Sequence, residues 1–279
     1  MSPVLRHLVE RTTIYGSAAI LAFVCGFPLF WMGLTSVKPD REIITATPRM
    51  WTSLPHFDAY RRLFAETKFE TYFFNSILVA GGSTLLTILV AVLAAYGITR
   101  FRFKGRESIA TVMLFTYMFA PIMIVIPFYI MMRKLGLTNS HLGLMLSYAS
   151  FSLPFSMWLL RSFFQSIPLE LEEAAMIDGA SRPQAVARVV VPMALPGVIA
   201  VSIFTFIVAW NDYLFARVLI GKDELKTLPI GIQDLYESSV TDWGVIMAAG
   251  VMITIPALVF FVSVQRYLIA GWGAGGVKG

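Results

Sequence analysis

Few residues in this sequence could do chemistry, and they gather in two places. Trp210, Asn211 and Asp212 stand together inside a long apolar stretch. A carboxylate, an amide and an indole in one spot are what sugar hydroxyls and the apolar face of a pyranose call for. The same three groups would serve as a hydrogen-bond knot between helices, and spacing leaves both readings open. The second place is Ser166 to Ser181, where Glu170, Glu172 and Glu173 run into Ala174, Ala175, Asp178 and Gly179. Asn75, at the start of another apolar run, is either a helix cap or a gate residue. His7, His56 and His141 share no spacing with an acidic partner, and Cys25 has no second cysteine to pair with. No phosphate-binding glycine loop, metal-ligand cluster or Ser-His-Asp order is present. The chain is therefore expected to hold no catalytic residue, no metal and no cofactor of its own.

The elements that position these residues follow from composition. Of 279 residues, 57% are hydrophobic and 14% charged, with a mean hydropathy of +0.72. Soluble domains average about 45–50% apolar and roughly 25% charged. Seventeen acids and 22 bases cannot wet a globule this apolar, which excludes a soluble enzyme, a disordered chain and a secreted disulfide scaffold. The bases are scattered over several loops, so the pI near 9.4 indicates no nucleic-acid partner. A span needs about 20 apolar residues to cross roughly 30 Å of hydrocarbon. Six stretches qualify: Ile14 to Leu34, Tyr72 to Ile98, Ser108 to Met132, His141 to Leu160, Pro196 to Ile220 and Gly244 to Val264. Only the fifth holds an Asp, Glu, Lys or Arg. Backbone in hydrocarbon must bond to itself, so the runs are helices and the fold is an all-α, six-helix integral membrane protein. The first run is too long, and lacks the cleavage pattern, for a signal peptide.

Charge orients the bundle weakly, because eleven bases fall on each side. Arg100, Arg102, Lys104 and Arg106 crowd one very short loop, which is hard to translocate. That loop and both termini are expected in the cytoplasm. Residues 161–195 then form a cytoplasmic loop. In it, Pro168 falls in a first helical turn, with Glu170, Glu172 and Glu173 complementing the helix dipole. Gly179 supplies a left-handed stop, Ser181 and Gln184 a second start, and Pro192 closes the segment. Two short helices joined near Gly179 result. They either lie on the bilayer surface or dock a soluble partner through their acids and the small residues Ala174 and Ala175.

Here the sequence resembles a known family. Glu173-Ala174-Ala175, Gly179 after three residues, and Val189-x-Val191-Pro192 after nine more are similar to the EAA loop of ABC importer permeases. Valine stands at 189 and 191, where the family more often has Ile and Leu. With Asn75-Ser76, Trp210-Asn211-Asp212 and the ending Gly275-Gly276-Val277-Lys278-Gly279, nearly the whole chain resembles the MalG-type subunit of carbohydrate importers. The resemblance implies one transmembrane domain over residues 1–279 in a bacterial plasma (inner) membrane, transporting a mono- or oligosaccharide, or a polyol or glycerol phosphate. It implies a second MalF-like permease, two cytoplasmic ATPase subunits that carry ATP and Mg, and an extracytoplasmic sugar-binding protein. It assigns ATPase coupling to Glu172, Glu173, Ala174, Ala175, Asp178, Gly179 and Pro192. It extends the tail, Gly276, Val277, Lys278 and Gly279, into the ATPase dimer, and lets residues 221–243 reach the binding protein. Trp210, Asn211, Asp212 and Asn75 are its candidates for the substrate pathway. An ion-coupled secondary transporter is the competing class. It would need an inverted repeat and several intramembrane ionisable groups, whereas only Asp212 qualifies.

Overall fold

The computed structural model describes residues 3–45, 47, 49–52, 54–238 and 240–275, and among them every regular element is helical. In chain order these are α1 (Pro3–Ser36), α2 (Asp40–Ile43), α3 (Asp58–Glu66), α4 (Phe69–Arg100), α5 (Arg106–Thr116), α6 (Pro121–Lys134), α7 (His141–Gln165), α8 (Leu169–Ile177) and α9 (Arg182–Ala185). After a wide turn at Val186–Val190 follow α10 (Val191–Met193), α11 (Leu195–Asn211), α12 (Leu214–Leu219), α13 (Leu228–Tyr236) and α14 (Trp243–Gly275). Stretches of α1, α4, α7 and α14 are each long and apolar enough to cross a membrane alone. Two further candidates are bent pairs, α5 with α6 at 103° and the Arg182–Met193 stretch with α11 at 81°.

The apolar stretches at 14–34, 72–98, 141–160 and 244–264 fall inside those four helices. The other two differ from the sequence reading. The run expected from Ser108 to Met132 is broken between Thr116 and Pro121. Proline at the start of α6 has no N–H to give and pushes the preceding residue out of the helical region; Ala120 is extended. The run expected from Pro196 to Ile220 stops at Asn211 and resumes at Leu214, with extended backbone at Asp212. A windowed hydropathy reading passes over both breaks, because apolar residues flank each one: residues 117–120 carry no charge, and Asn211 and Asp212 are two polar positions within a long apolar run.

Two compact units divide the chain. Residues 1–69 and 232–255 form one. Arg62 is its hub: the guanidinium donates to both Asp40 oxygens at 2.8 and 2.9 Å and pairs with Asp242 at 3.0 Å. The hydrogen bond from Arg62 holds the Asp40 carboxyl below its ordinary range. Its contribution is therefore complete above the ordinary carboxylate pKa and fades as pH falls through the lowered value. Asp242 also accepts the Val245 N–H at 3.0 Å, which caps α14. Lys38 is buried, with its ammonium on the Arg49 carbonyl and 4.4 Å from the Trp31 ring centre.

The described residues of 70–231 and 256–275 form the second unit. Its core draws Ala91, Ala95 and Tyr96 of α4 against Met157, Leu160 and Phe164 of α7, Val190, and Val201 of α11. Small residues let helices approach closely where burial gives no hydrophobic advantage over lipid. Gly197 faces the Phe163 ring so closely that a Cβ would lie 2.5 Å from it. Gly143, in the first turn of α7, is tighter still: a Cβ would meet the Leu137 carbonyl oxygen at 2.0 Å. Gly143→Ala is therefore expected to destabilise the protein by about 1–3 kcal/mol, seen as a lowered melting temperature in detergent. An unchanged melt would contradict this packing.

Candidate functional site: the coupling segment and the Asp212 break

The helix α8 is built to show two faces. Glu170 and Glu172 lie in its first turn, where acids favour the N-terminus, and Pro168 is the residue just before the helix rather than inside its first turn. Its end is fixed by Gly179 at φ +89°. Gly179 N–H donates to the Met176 carbonyl at 3.1 Å and Ala180 N–H to the Ala175 carbonyl at 3.0 Å, the paired bonds of a Schellman stop. The next helix starts at Ser181, whose N–H donates to Gln184 Oε1 at 2.8 Å. After α9 the backbone takes a wide turn over Val186–Val190 ahead of Pro192, which has no N–H to continue the ladder.

On the outward face Leu169, Glu173, Ala174 and Ile177 are exposed, Ile177 at 86%. Asp178, Gly179 and Pro192 are exposed as well, and Ala175 is partly covered. Glu172 points the other way and is 1% exposed. Its Oε1 accepts from the Arg100 guanidinium, and its Oε2 accepts from the Tyr96 hydroxyl at 3.1 Å. Arg100 also donates to the Ile167 carbonyl at 3.0 Å, and the Arg182 guanidinium lies 5.4 Å from the Phe101 ring centre. Residues at the C-terminal end of α4 and just after it thus hold both short helices. Of the residues expected to act in coupling, Glu173 and Ala174 share an exposed face, which Ile177 extends, while Glu172 faces inward. Arg100 and Tyr96 were not legible as its partners, since 72 and 76 residues separate them from it. The tail residues Gly276, Val277, Lys278 and Gly279 lie outside the described residues.

The Trp210-Asn211-Asp212 triplet splits three ways. Trp210 is 1% exposed, edge-on to Phe73 at 6.0 Å and stacked on Phe206 at 5.5 Å between ring centres. Asn211 is exposed and donates from Nδ2 to the Ile207 carbonyl at 3.0 Å. Asp212 Oδ2 accepts from the Tyr148 hydroxyl at 2.8 Å and from the N–H groups of Phe215 and Ala216 at 3.0 and 3.1 Å. Its carboxylate thus caps α12 across the break and anchors it to α7. Asn75 does not join them. Its amide donates to the Glu224 and Lys226 carbonyls at 2.8 and 2.9 Å, while Ser76 Oγ accepts the Leu228 N–H at 2.8 Å. Together they pin the start of α4 to the 221–228 loop. Tyr148 is the partner that sequence gave no sign of, one tyrosine among ten.

Three bonds onto one oxygen make Asp212 a structural acceptor. Asp212→Ala would strand a buried tyrosine hydroxyl and uncap α12, a loss of about 1–3 kcal/mol. Asp212→Asn, which keeps an acceptor oxygen, should cost less. Thermal unfolding in detergent reads both. Wild-type melting of Asp212→Ala, with transport impaired, would instead make the carboxylate a substrate contact.

Comparison with known proteins now bears on this geometry. Residues 87–272 match the model of a family described as binding-protein-dependent transport system inner membrane component. The sulfoquinovosyl glycerol transport system permease protein SmoH of Agrobacterium fabrum is 40% identical over 281 residues, covering 100% of this chain and 98% of its own. The trehalose/maltose transport system permease protein MalG of Thermococcus litoralis is 33% identical over 277 residues, covering 98% and 99%. A crystal structure of a bacterial ABC transporter involved in import of the acidic polysaccharide alginate contains a chain that superposes with a TM-score of 0.83 at 25% identity, covering 96% of this chain and 98% of that one. The matched region contains α8, the Gly179 stop, the wide turn and the Asp212 break, and on these grounds the chain belongs to the family of binding-protein-dependent transport system inner membrane components.

Proposed function

We propose that this chain is one of two membrane subunits of an ATP-driven sugar importer, and that α8 and α9 carry the stroke of a separate ATPase into the bundle. The family match and full-length relatives named as sugar permeases support the transport role. The observation that carries the coupling role is the outward face of α8. Leu169, Glu173, Ala174 and Ile177 leave apolar and acidic surface bare on a helix whose C-terminal end is fixed by the Gly179 stop. Small side chains at 174 and 175 admit a close backbone, and a bare Ile177 is a cost that a docked partner removes.

In this reading, α1, α4, α7 and α14 each cross the membrane, and the two bent pairs complete six spans. Both termini lie in the cytoplasm with the basic loop at 100–106, and residues 161–195 face the ATPase. The second permease and lipid cover α1, whose apolar window is only 6% buried within this chain. A binding protein outside delivers a mono- or oligosaccharide, the class named for the relative of 33% identity, with a glycosyl glycerol such as that named for the relative of 40% identity as the alternative. ATP and Mg stay on the ATPase subunits, and this chain holds neither. Alternating access then needs only that α8 and α9 move as a body.

Two measurements test this. Pull-down in mild detergent is expected to bring an ATPase with the chain. Gly179→Val forces a β-branched side chain into a left-handed conformation, at a cost of about 1–2 kcal/mol, and loosens the stop between the rods. The variant should insert and retain the second permease, yet transport less sugar per ATP hydrolysed. Import at the wild-type rate would contradict the assignment.

A further inference from the structure

We infer that the buried Glu172–Arg100 pair is the positioning link through which the coupling helices move α4 in particular, rather than a contact with the ATPase. This rests on the coupling role proposed above. The carboxylate is 1% exposed and the arginine side chain 9%, so neither group is available to a docking partner. Both carboxylate oxygens are engaged, one by Arg100 and one by Tyr96. Arg100 is the last residue of α4 and Tyr96 lies one turn before it. The same arginine holds the Ile167 carbonyl, two residues before α8 begins. Arg182, which opens α9, sits over Phe101, and Phe101 packs edge-on against Tyr96 at 6.0 Å. Every one of these polar and cation–π contacts leads from the short helices to a single helix end.

A buried ion pair is a poor source of net stability, because desolvation offsets the attraction, yet removing one partner strands the other charge. Such a pair is directional: it holds one geometry and resists sliding in a way that apolar packing does not. The exposed face of α8 would take the push and the buried face would pass it to α4. Because α4 runs unbroken from Phe69 to Arg100, a displacement at its Arg100 end reaches Asn75 and the 221–228 loop at the other. Glu172 and Arg100 are thus positioning residues for transport.

The test uses the assembled complex purified in mild detergent, with Cys25→Ser and Phe74→Cys carrying a bimane fluorophore near the far end of α4. Phe74 is well exposed, so the label does not disturb the core. Trapping with ATP and vanadate should shift the bimane emission in the otherwise native complex. Glu172→Gln and Arg100→Met should lose that shift, compared per mole of ATPase retained. Exchanging the charges, Arg100→Glu with Glu172→Arg, should recover it, which a role in stability alone would not require. An emission shift that persists in the single variants overturns the link, as does a charge-swapped complex that assembles without the shift, or native α4 that does not respond to nucleotide. A native complex that holds no ATPase overturns the proposed function itself, and the link with it.

Discussion

A peptide group surrounded by hydrocarbon has no water to bond to, and each place where this chain leaves the helix must replace what it gives up. At 117–119 the freed carbonyls are taken by short i→i+3 bonds, Tyr117 N–H to Leu114, Met118 to Phe115 and Phe119 to Thr116. At 212 a side chain does the work: one carboxylate oxygen receives two N–H groups and the Tyr148 hydroxyl. Outside the apolar runs, at the tip of the 161–195 segment, a glycine with positive φ closes α8 through two backbone bonds in the same way. The breaks are therefore defined joints, each with its own chemistry.

The coupling segment shows why rigidity and exposure go together. A nine-residue helix is too short to be stable alone in water. This one is held by its Gly179 stop and by the buried Glu172, and that anchoring is what allows Glu173, Ala174 and Ile177 to stand clear of the protein. The same helix thus has an inner face held by buried polar contacts and an outer face left open. Belonging to a family of binding-protein-dependent transport components is compatible with the coupling role proposed for this face.

Much of this was legible in the sequence, for physical reasons. Four spans and the two short helices follow from apolar length, from acids in the first turn of α8, and from the glycine and the Ser181–Gln184 pair, all of which are local signals. What escaped was non-local. Nothing near Glu172 indicates that it faces inward while Glu173 beside it faces out; that follows from where α4 ends. Asp212 was readable as an ion needing company, but Tyr148 as that company was not. The breaks near Pro121 and at Asp212 lie within apolar runs, so hydropathy read straight through them. Trp210, an attractive sugar platform by composition, is buried between Phe73 and Phe206, a role set by packing across helices.

The claim beneath all of this is that the outward face of α8 is a docking face for a nucleotide-hydrolysing partner. It is tested most directly by placing a benzophenone on Ile177→Cys in a Cys25→Ser background and irradiating the assembled complex, with the exposed Trp51→Cys as the control position. The account predicts an adduct of this chain with the ATPase from position 177 and none from position 51. Adducts from position 177 with lipid alone, in a complex that retains its ATPase, would contradict it.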